Sequence, residues 1–268
     1  AMINVQYFIS GKNKLILTVV FLMLINYSAN AQFDDINVKF GELTFRTKYD
    51  TVKYNTTLRI IKDNKSIYKN TFEERIAEIK EYDLNNDGKK EILIEMYSGG
   101  AHCCTSQYLG KFINDKFVFL DTVFWGNSYF SIEDIDNDGK LEIKGANDMF
   151  AYAFTNYAET RFPLLIYSFN GNKFVNVTSD YKELIRNQLE EFRQELKTYF
   201  DTGFKCMEIN EDTFNTDAGA VKTMLAAIVA DYYLLGEVNK GYDLVDSFYK
   251  CPDKDKYREI LQNDFKLK

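Results

Sequence analysis

The chain has few of the residues that common catalytic motifs require. It contains one histidine, His102, among 268 residues. An H-E-x-x-H zinc motif, a G-x-S-x-G nucleophile elbow and a glycine-rich phosphate loop are all absent from the sequence. A Ser-His-Asp triad would have to use His102, and nothing in the pattern identifies its serine. These absences make an enzyme the less favoured interpretation.

The chain also lacks clusters of basic residues. Lysine and arginine total 33 against 40 acidic residues, and the formal net charge is −7. Because binding to phosphate backbones needs a basic surface, nucleic acid is excluded as an expected partner. Only two prolines occur, while aromatic residues make up 16% of the chain. This composition is typical of a packed, β-rich core and not of disorder.

The first residues have the pattern of a secretory signal peptide. Lys12 and Lys14 precede the apolar run 15–25, which is followed by Ala29-Asn-Ala31. A run of eleven residues is too short to cross a bilayer, which takes about 20. A short buried helix is the alternative, but the flanking residues favour a leader. We therefore predict cleavage after Ala31, export to the periplasm or the extracellular space, and no stable membrane span afterwards.

One short acidic stretch occurs twice and organises the rest of the chain. The first copy runs from Asp83 to Glu91 and the second from Asp134 to Glu142. Each places oxygen-bearing side chains at loop positions 1, 3, 5 and 9, with glycine at position 6. Hard oxygen donors on alternate residues, with a glycine for the sharp turn, are typical of calcium loops. An ordinary Asp/Asn/Gly turn is the alternative.

The repeat is larger than these two loops. A predicted hairpin turns at Asp63-Asn64 and another at Asn114-Asp115, each between short apolar runs. Lys65 lies 18 residues before Asp83, and Lys116 lies 18 residues before Asp134, so hairpin and loop recur with a period of 51. A third hairpin is predicted at Asn170-Gly171, but the residues that would form its loop lie in a helical pattern. We therefore expect two complete units and a truncated third.

The chain after residue 179 changes to a helical period. Apolar residues from Tyr181 to Phe200 recur at helical spacing, which predicts a helix that ends before Gly203. A second helix, 218–235, is apolar nearly all round and should be central. Shorter helices are predicted at 242–249 and 253–263. The expected organisation is a signal peptide at 1–31, a β-repeat domain with two calcium loops at 32–178 and a helical subdomain at 179–268.

The repeat resembles the FG-GAP/VCBS type, the calcium-binding blade of integrin-α-like propellers, in exported bacterial proteins. The loop signature D-x-D-x-D-G-x-x-D/E of that type is matched at Asp83, Asn85, Asp87, Gly88 and Glu91, and at Asp134, Asp136, Asp138, Gly139 and Glu142. Four short strands in about 50 residues is also the content of a propeller blade. Fewer than three units cannot close a ring of four to eight blades. The predicted fold is therefore β-rich α+β, with partial propeller-like antiparallel repeats followed by helices.

The predicted ligands are the same in both loops. They are the side chains at positions 1, 3, 5 and 9 and the main-chain carbonyl at position 7: Asp83, Asn85, Asp87, Lys89 and Glu91 in the first loop, and Asp134, Asp136, Asp138, Lys140 and Glu142 in the second. EF-hand position 12 is Ile94 or Gly145, so neither loop is an EF-hand. Two structural calcium ions are expected. The second loop should bind more tightly, because Asn85 replaces an acid in the first.

A second group of candidate residues follows the first loop. His102, Cys103 and Cys104 follow Gly99-Gly100-Ala101. The favoured interpretation is a stiff turn that presents a ligand. The alternatives are a thiol or metal site, and hydrolysis by His102. In an exported chain the cysteines should be oxidised, and the simplest pairing is Cys103–Cys104 with Cys206–Cys251. The crossed pairings stay open.

Aromatic residues form the third group. Trp125, Tyr152 and Tyr157 stand near asparagine and glutamate and could stack on a sugar or hold a peptide. A sheet core that spans the repeats is the alternative. Together the patterns predict a non-enzymatic binding module for protein or glycan. The alternatives are a hydrolase or thiol-redox enzyme centred on His102, Cys103 and Cys104, and a purely structural envelope component.

Overall fold

Short turns of asparagine and aspartate define the strand boundaries. In the computed structural model, which describes residues 35–99, 104–207 and 212–268, Asp63-Asn64 and Asn114-Asp115 all have positive φ. Two such residues in a row are typical of the two-residue hairpin turn whose twist matches that of the strands. These two predicted hairpins are confirmed. The predicted leader, residues 1–31, lies outside the described residues.

The described part of the chain contains twelve strands in three four-stranded antiparallel sheets. In each sheet the strands are adjacent in chain order. The first sheet contains β1 (Asn37–Phe40), β2 (Leu43–Asp50), β3 (Asn55–Lys62) and β4 (Lys65–Phe72). The second contains β5 (Arg75–Tyr82), β6 (Glu91–Tyr97), β7 (Thr105–Ile113) and β8 (Lys116–Gly126). The third contains β9 (Phe130–Glu133), β10 (Glu142–Ala146), β11 (Leu164–Phe169) and β12 (Phe174–Asn176).

The sheets correct the predicted grouping of strands. The expected unit, a hairpin followed by a calcium loop, spans two sheets, because β3 and β4 belong to the first sheet and β5 and β6 to the second. Strands β1 and β2, which the sequence did not predict, complete the first sheet, and the third hairpin completes the third. The described residues therefore hold three full four-stranded units, not two and a fragment. The period of 51 is unaffected, because it counts four strands whichever strand comes first.

Strand β6 contributes to both β-sheet cores. Its side chains alternate between the two faces of the second sheet. Ile92 and Ile94 pack in a cluster with Phe45 of the first sheet. Leu93, between them, packs in a cluster with Ile143 of the third sheet. The second sheet is therefore the middle layer, which explains why β6 is buried along most of its length.

Four helices follow within the described residues. They are α1 (Lys182–Asp201), α2 (Asp217–Leu234), α3 (Val238–Phe248) and α4 (Lys254–Asn263). All four agree with the predicted helices to within a few residues. Helix α2 is buried over most of its length and lies in the core of the helical part, as its all-round apolar sequence predicts. No helix in the described ranges is long and apolar enough to span a bilayer. The β-rich α+β class is confirmed.

A disulfide joins Cys206 to Cys251, which are 45 residues apart in sequence. It links the chain after α1 to the segment before α4. Cross-linking a loop of this length restricts the unfolded chain. Residues 36–268 form one compact unit, so the bridge should contribute to the stability of the whole unit.

We expect the double variant Cys206→Ser with Cys251→Ser to lower the free energy of unfolding by about 2 to 4 kcal/mol. Urea unfolding of the oxidised protein and the variant measures the difference. Reductant should remove the difference between wild type and variant, because it breaks Cys206–Cys251 in the wild type. Equal stabilities of wild type and variant under oxidising conditions would contradict the prediction.

Candidate functional site

The two acidic loops close with the same hydrogen bonds. In the first, Asp83 Oδ1 accepts from the amide of Asp87 at 3.0 Å and Oδ2 from the amide of Gly88 at 2.9 Å. In the second, Asp134 accepts from the amides of Asp138 and Gly139 at 3.1 and 3.0 Å. The aspartate at position 1 therefore holds each loop in a tight turn through two main-chain donors.

The resemblance between the loops extends to positions 4 to 7. Asn86 and Asn137 take φ values of 57° and 61° at position 4. Gly88 and Gly139 also have positive φ at position 6, which glycine adopts without steric cost. The amides of the position-7 residues, Lys89 and Lys140, donate to the aspartates at position 5, each at 2.8 Å. Main-chain conformation and hydrogen bonding thus repeat together.

The glutamate at position 9 is buried in both copies. Glu91 accepts from the amide of Leu84 at 3.2 Å, and Glu142 accepts from the amide of Ile135 at 3.1 Å. Burial raises the pKa of both carboxyl groups, partly offset by these hydrogen bonds. Nearby aspartates raise both pKa values further. A buried acid next to other acids is costly without a cation, and each loop has this arrangement.

The second loop holds the denser group of acids. The carboxylates of Asp134, Asp136 and Asp138 offer oxygens that all lie within 4.8 Å of one another. The ammonium of Lys140 lies 2.5 Å from Asp138, and this contact lowers the pKa of the Asp138 carboxyl. Oxygens at this separation fit a calcium coordination sphere, where metal–oxygen distances are about 2.3–2.6 Å.

The first loop has an unpartnered oxygen at the corresponding place. Asn85 Oδ1 is buried and accepts no hydrogen bond from any residue that the structure describes. Its amide nitrogen donates to Asp87 Oδ2 at 3.3 Å. A buried carbonyl oxygen without a donor fits a cation ligand better than it fits an ordinary turn. The second loop therefore offers three carboxylates that could hold a metal ion, and the first loop offers one unpartnered oxygen at the matching position.

The two loops contact each other, which the sequence did not predict. The amide of Leu141 donates to the carbonyl of Leu84 at 2.9 Å. A Cβ added to Gly139 would lie 2.7 Å from the side-chain nitrogen of Asn86. The second loop therefore needs glycine for its φ, and the Asn86 side chain of the first loop lies against it.

Tyr181, just before α1, also lies at the second loop. It shares a hollow of about 260 Å³ with Asp136, Asp138 and Glu142. Burial, and next the charge of Glu142, raises the pKa of the Tyr181 hydroxyl, which is hydrogen-bonded to Glu142. In the sequence Tyr181 matches the spacing of apolar residues in the following helix. That spacing gives no sign that Tyr181 contacts the second loop.

Residues 100–103, which include the candidate histidine, lie outside the described residues. His102 and Cys103 are in that part, so a Cys103–Cys104 bridge stays a prediction. The ends of the segment are joined, since Ser98 donates from its amide to the carbonyl of Cys104 at 3.1 Å. The amide of Cys104 donates back to the Ser98 hydroxyl at 3.1 Å.

The three aromatic candidates do not form one surface. Trp125 is fully buried in the core of the second and third sheets, where its ring stacks on Phe130 at 5.4 Å. It is therefore unavailable to a ligand, and the core alternative holds for this residue. Tyr152 and Tyr157 do lie together, with ring centroids 5.7 Å apart. The Tyr157 hydroxyl donates to the carbonyl of Asn127 at 2.9 Å, so this ring is fixed in place.

Two curated proteins are similar to parts of this chain. A probable thylakoid lumen protein of Synechocystis is 24% identical over 177 residues, which are 65% of this chain and 48% of that protein. An uncharacterized protein of Sinorhizobium fredii is 24% identical over 101 residues, which are 37% of this chain and 16% of that protein. The chain thus spans about half or less of the length of these relatives. No protein-family model and no solved structure matches it.

Proposed function

We propose that this chain is an exported, calcium-stabilised β-repeat protein that acts as a non-enzymatic binding module for protein or glycan. The duplicated loop geometry carries the proposal. Two loops 51 residues apart share the capping aspartate, the positive-φ positions and the buried glutamate. Three consecutive four-stranded antiparallel units support the likeness to FG-GAP/VCBS propeller blades.

The proposed role of calcium is structural. The ions would be held by the oxygens at positions 1, 3, 5 and 9 and by the carbonyl at position 7: Asp83, Asn85, Asp87, Lys89 and Glu91 in one loop, and Asp134, Asp136, Asp138, Lys140 and Glu142 in the other. Each cation would neutralise acids that repel one another and would fix a loop between two strands. Since the loops touch, ordering one loop should support the other.

Export has three sources of support. The first residues have the pattern of a leader peptide. The disulfide Cys206–Cys251 is typical of oxidising compartments. The similarity to a probable thylakoid lumen protein points to the same kind of compartment.

We expect the purified protein, freed of bound metal, to take up two calcium ions, the second loop binding more tightly. Isothermal titration calorimetry with calcium, and with magnesium as a control, measures the stoichiometry and both affinities. Magnesium should bind more weakly, because it dehydrates reluctantly and demands near-octahedral geometry. Uptake of no ion, or equal affinity for the two metals, would overturn the calcium assignment.

A further inference from the structure

A polar cleft lies between the second and third sheets. It has a volume of about 450 Å³. One wall is the face of β5, β6 and β7, and the other is the segment from Ser128 to Ile132 at the start of the third sheet. Small-molecule sites have volumes of about 300–1,000 Å³, so the cleft is large enough for one or two sugar rings.

Three polar side chains form a row across the first wall. Glu78 of β5 is the register partner of Glu95 of β6, and Glu95 is the partner of Gln107 of β7. Directly opposed residues of antiparallel strands have Cβ atoms about 5 Å apart. The row therefore presents two carboxylates and one amide side by side on this wall of the cleft.

Gln107 is the strongest sign of a ligand. Its side chain is only 3% exposed, and Oε1 accepts no hydrogen bond from any of the residues described. Buried side-chain oxygens almost always have a donor. Because Gln107 lines the cleft and its Oε1 has no donor among the described residues, we assign this acceptor to a bound molecule.

The charges of the cleft select against anions. Glu78 is neutralised by Lys80, whose ammonium lies 2.8 Å away. Glu95 is half-buried, and burial, with the charge of Glu78 second, raises the pKa of its carboxyl group. Two acids and one base leave the cleft acidic. The carboxylates of Glu78 and Glu95 and the side-chain oxygen of Gln107 are acceptors, and they suit a ligand that donates several hydrogen bonds without carrying negative charge.

Tyr129 supplies an aromatic ring at the mouth of the cleft. It lines the opening beside Ser128 and is 95% exposed, more than any other large hydrophobic residue described. The face of an aromatic ring packs well on the apolar face of a sugar. Hydrogen-bond acceptors within and an exposed ring at the rim are the two features that a saccharide site combines.

From this arrangement we infer that the cleft binds a neutral sugar unit of a glycan, with Gln107 and Glu95 accepting from its hydroxyls and Tyr129 stacking on its ring. This inference rests on the proposed binding function and names its ligand class. It does not depend on the calcium loops, which lie on other residues.

The test uses uncharged oligosaccharides of glucose, mannose, galactose or N-acetylglucosamine, with polygalacturonate and spermidine as charged probes. Saturation-transfer difference NMR detects binding, and calorimetry gives Kd. We expect at least one neutral probe to bind. Tyr129→Ala and Gln107→Leu should each weaken its binding at least tenfold. Tyr54→Ala is the matched control, because Tyr54 is also an exposed tyrosine (71%) but lies in the turn between β2 and β3.

Three results would overturn the inference: no neutral probe binds, binding survives both cleft substitutions, or only spermidine or polygalacturonate binds. The melting temperature of each variant, measured in parallel, shows whether it is folded. Tyr129→Ala removes an exposed side chain, so this variant stays informative if Gln107→Leu fails to fold.

The glycan proposal and the calcium proposal can fail separately. Failure of the sugars to bind, with two calcium ions still bound, would overturn the glycan ligand and leave the calcium assignment intact. Sugar binding without calcium uptake would do the reverse.

Discussion

Calcium is expected to raise the midpoint of thermal unfolding of this protein, and excess chelator to lower it. A ligand that binds only the native state stabilises it by RT ln(1 + [L]/Kd), about 2.7 kcal/mol at a hundredfold excess over Kd. Two sites of this kind, with loops in contact, should give a shift of several degrees or more. Differential scanning calorimetry in calcium, in magnesium and in chelator measures it.

The double variant Asp134→Ala with Asp138→Ala should lose the calcium response of the second loop. It should also be less stable than the wild type in chelator, because Asp134 accepts from two loop amides in the protein as it stands. The response to calcium, and not the absolute melting temperature, is therefore the quantity to compare. An undiminished calcium shift in this variant would contradict the assignment of the second loop.

A subtler pair of variants exchanges the one ligand by which the loops differ. Asp136→Asn gives the second loop the donor set of the first, and Asn85→Asp gives the first loop that of the second. Asparagine keeps the size and an acceptor oxygen, so stability in chelator should change little. Removing one carboxylate should weaken calcium binding about tenfold, or about 1.4 kcal/mol, and adding one should strengthen it to a similar degree. Changes of the same sign in both variants would mean that ligand charge does not set the affinity.

The local elements could be predicted because their causes are local. Asn114-Asp115 forms a hairpin turn through the conformations of these two residues, and the helices follow from the spacing of apolar residues. The grouping of strands into sheets could not be predicted in the same way. Which hairpin pairs with which depends on contacts between distant residues, such as β5 with β6 and β7, and the repeat alone does not fix its starting strand.

The same difference between local and long-range causes applies to the candidate sites. The ligands of each loop are close in sequence, so their spacing was visible. The cleft row of Glu78, Glu95 and Gln107 comes from three strands, and only the register brings these residues together. Trp125 was visible as a lone tryptophan, but its burial depends on the third sheet packing over it. A sequence pattern predicts the structure of one segment. The cleft row and the burial of Trp125 depend on contacts among several segments.

One buried acid in the helical core should make the stability of the protein depend on pH. Asp231 of α2 is 0% exposed, and neither of its carboxylate oxygens accepts a hydrogen bond from a described residue. Burial raises its pKa to about 8 from an ordinary value of 3.8. Between these two values the folded protein keeps a proton that the unfolded chain has lost. The stability should therefore fall as pH rises through this window, by at most about 1.4 kcal/mol per pH unit, and this fall should end above about pH 8.

Asp231→Asn should remove this part of the pH dependence, because the amide has nearly the same size and does not titrate. We expect the variant to be more stable than the wild type by several kcal/mol at pH 8, with the difference shrinking toward pH 5. Urea unfolding at pH 5, 6, 7 and 8, at one fixed calcium concentration, measures both proteins. Asp243→Asn on α3 is the matched control, since Asp243 is exposed and its variant should keep the slope of the wild type. Parallel curves for the wild type and Asp231→Asn would show that the carboxylate finds a cation or water when it ionises.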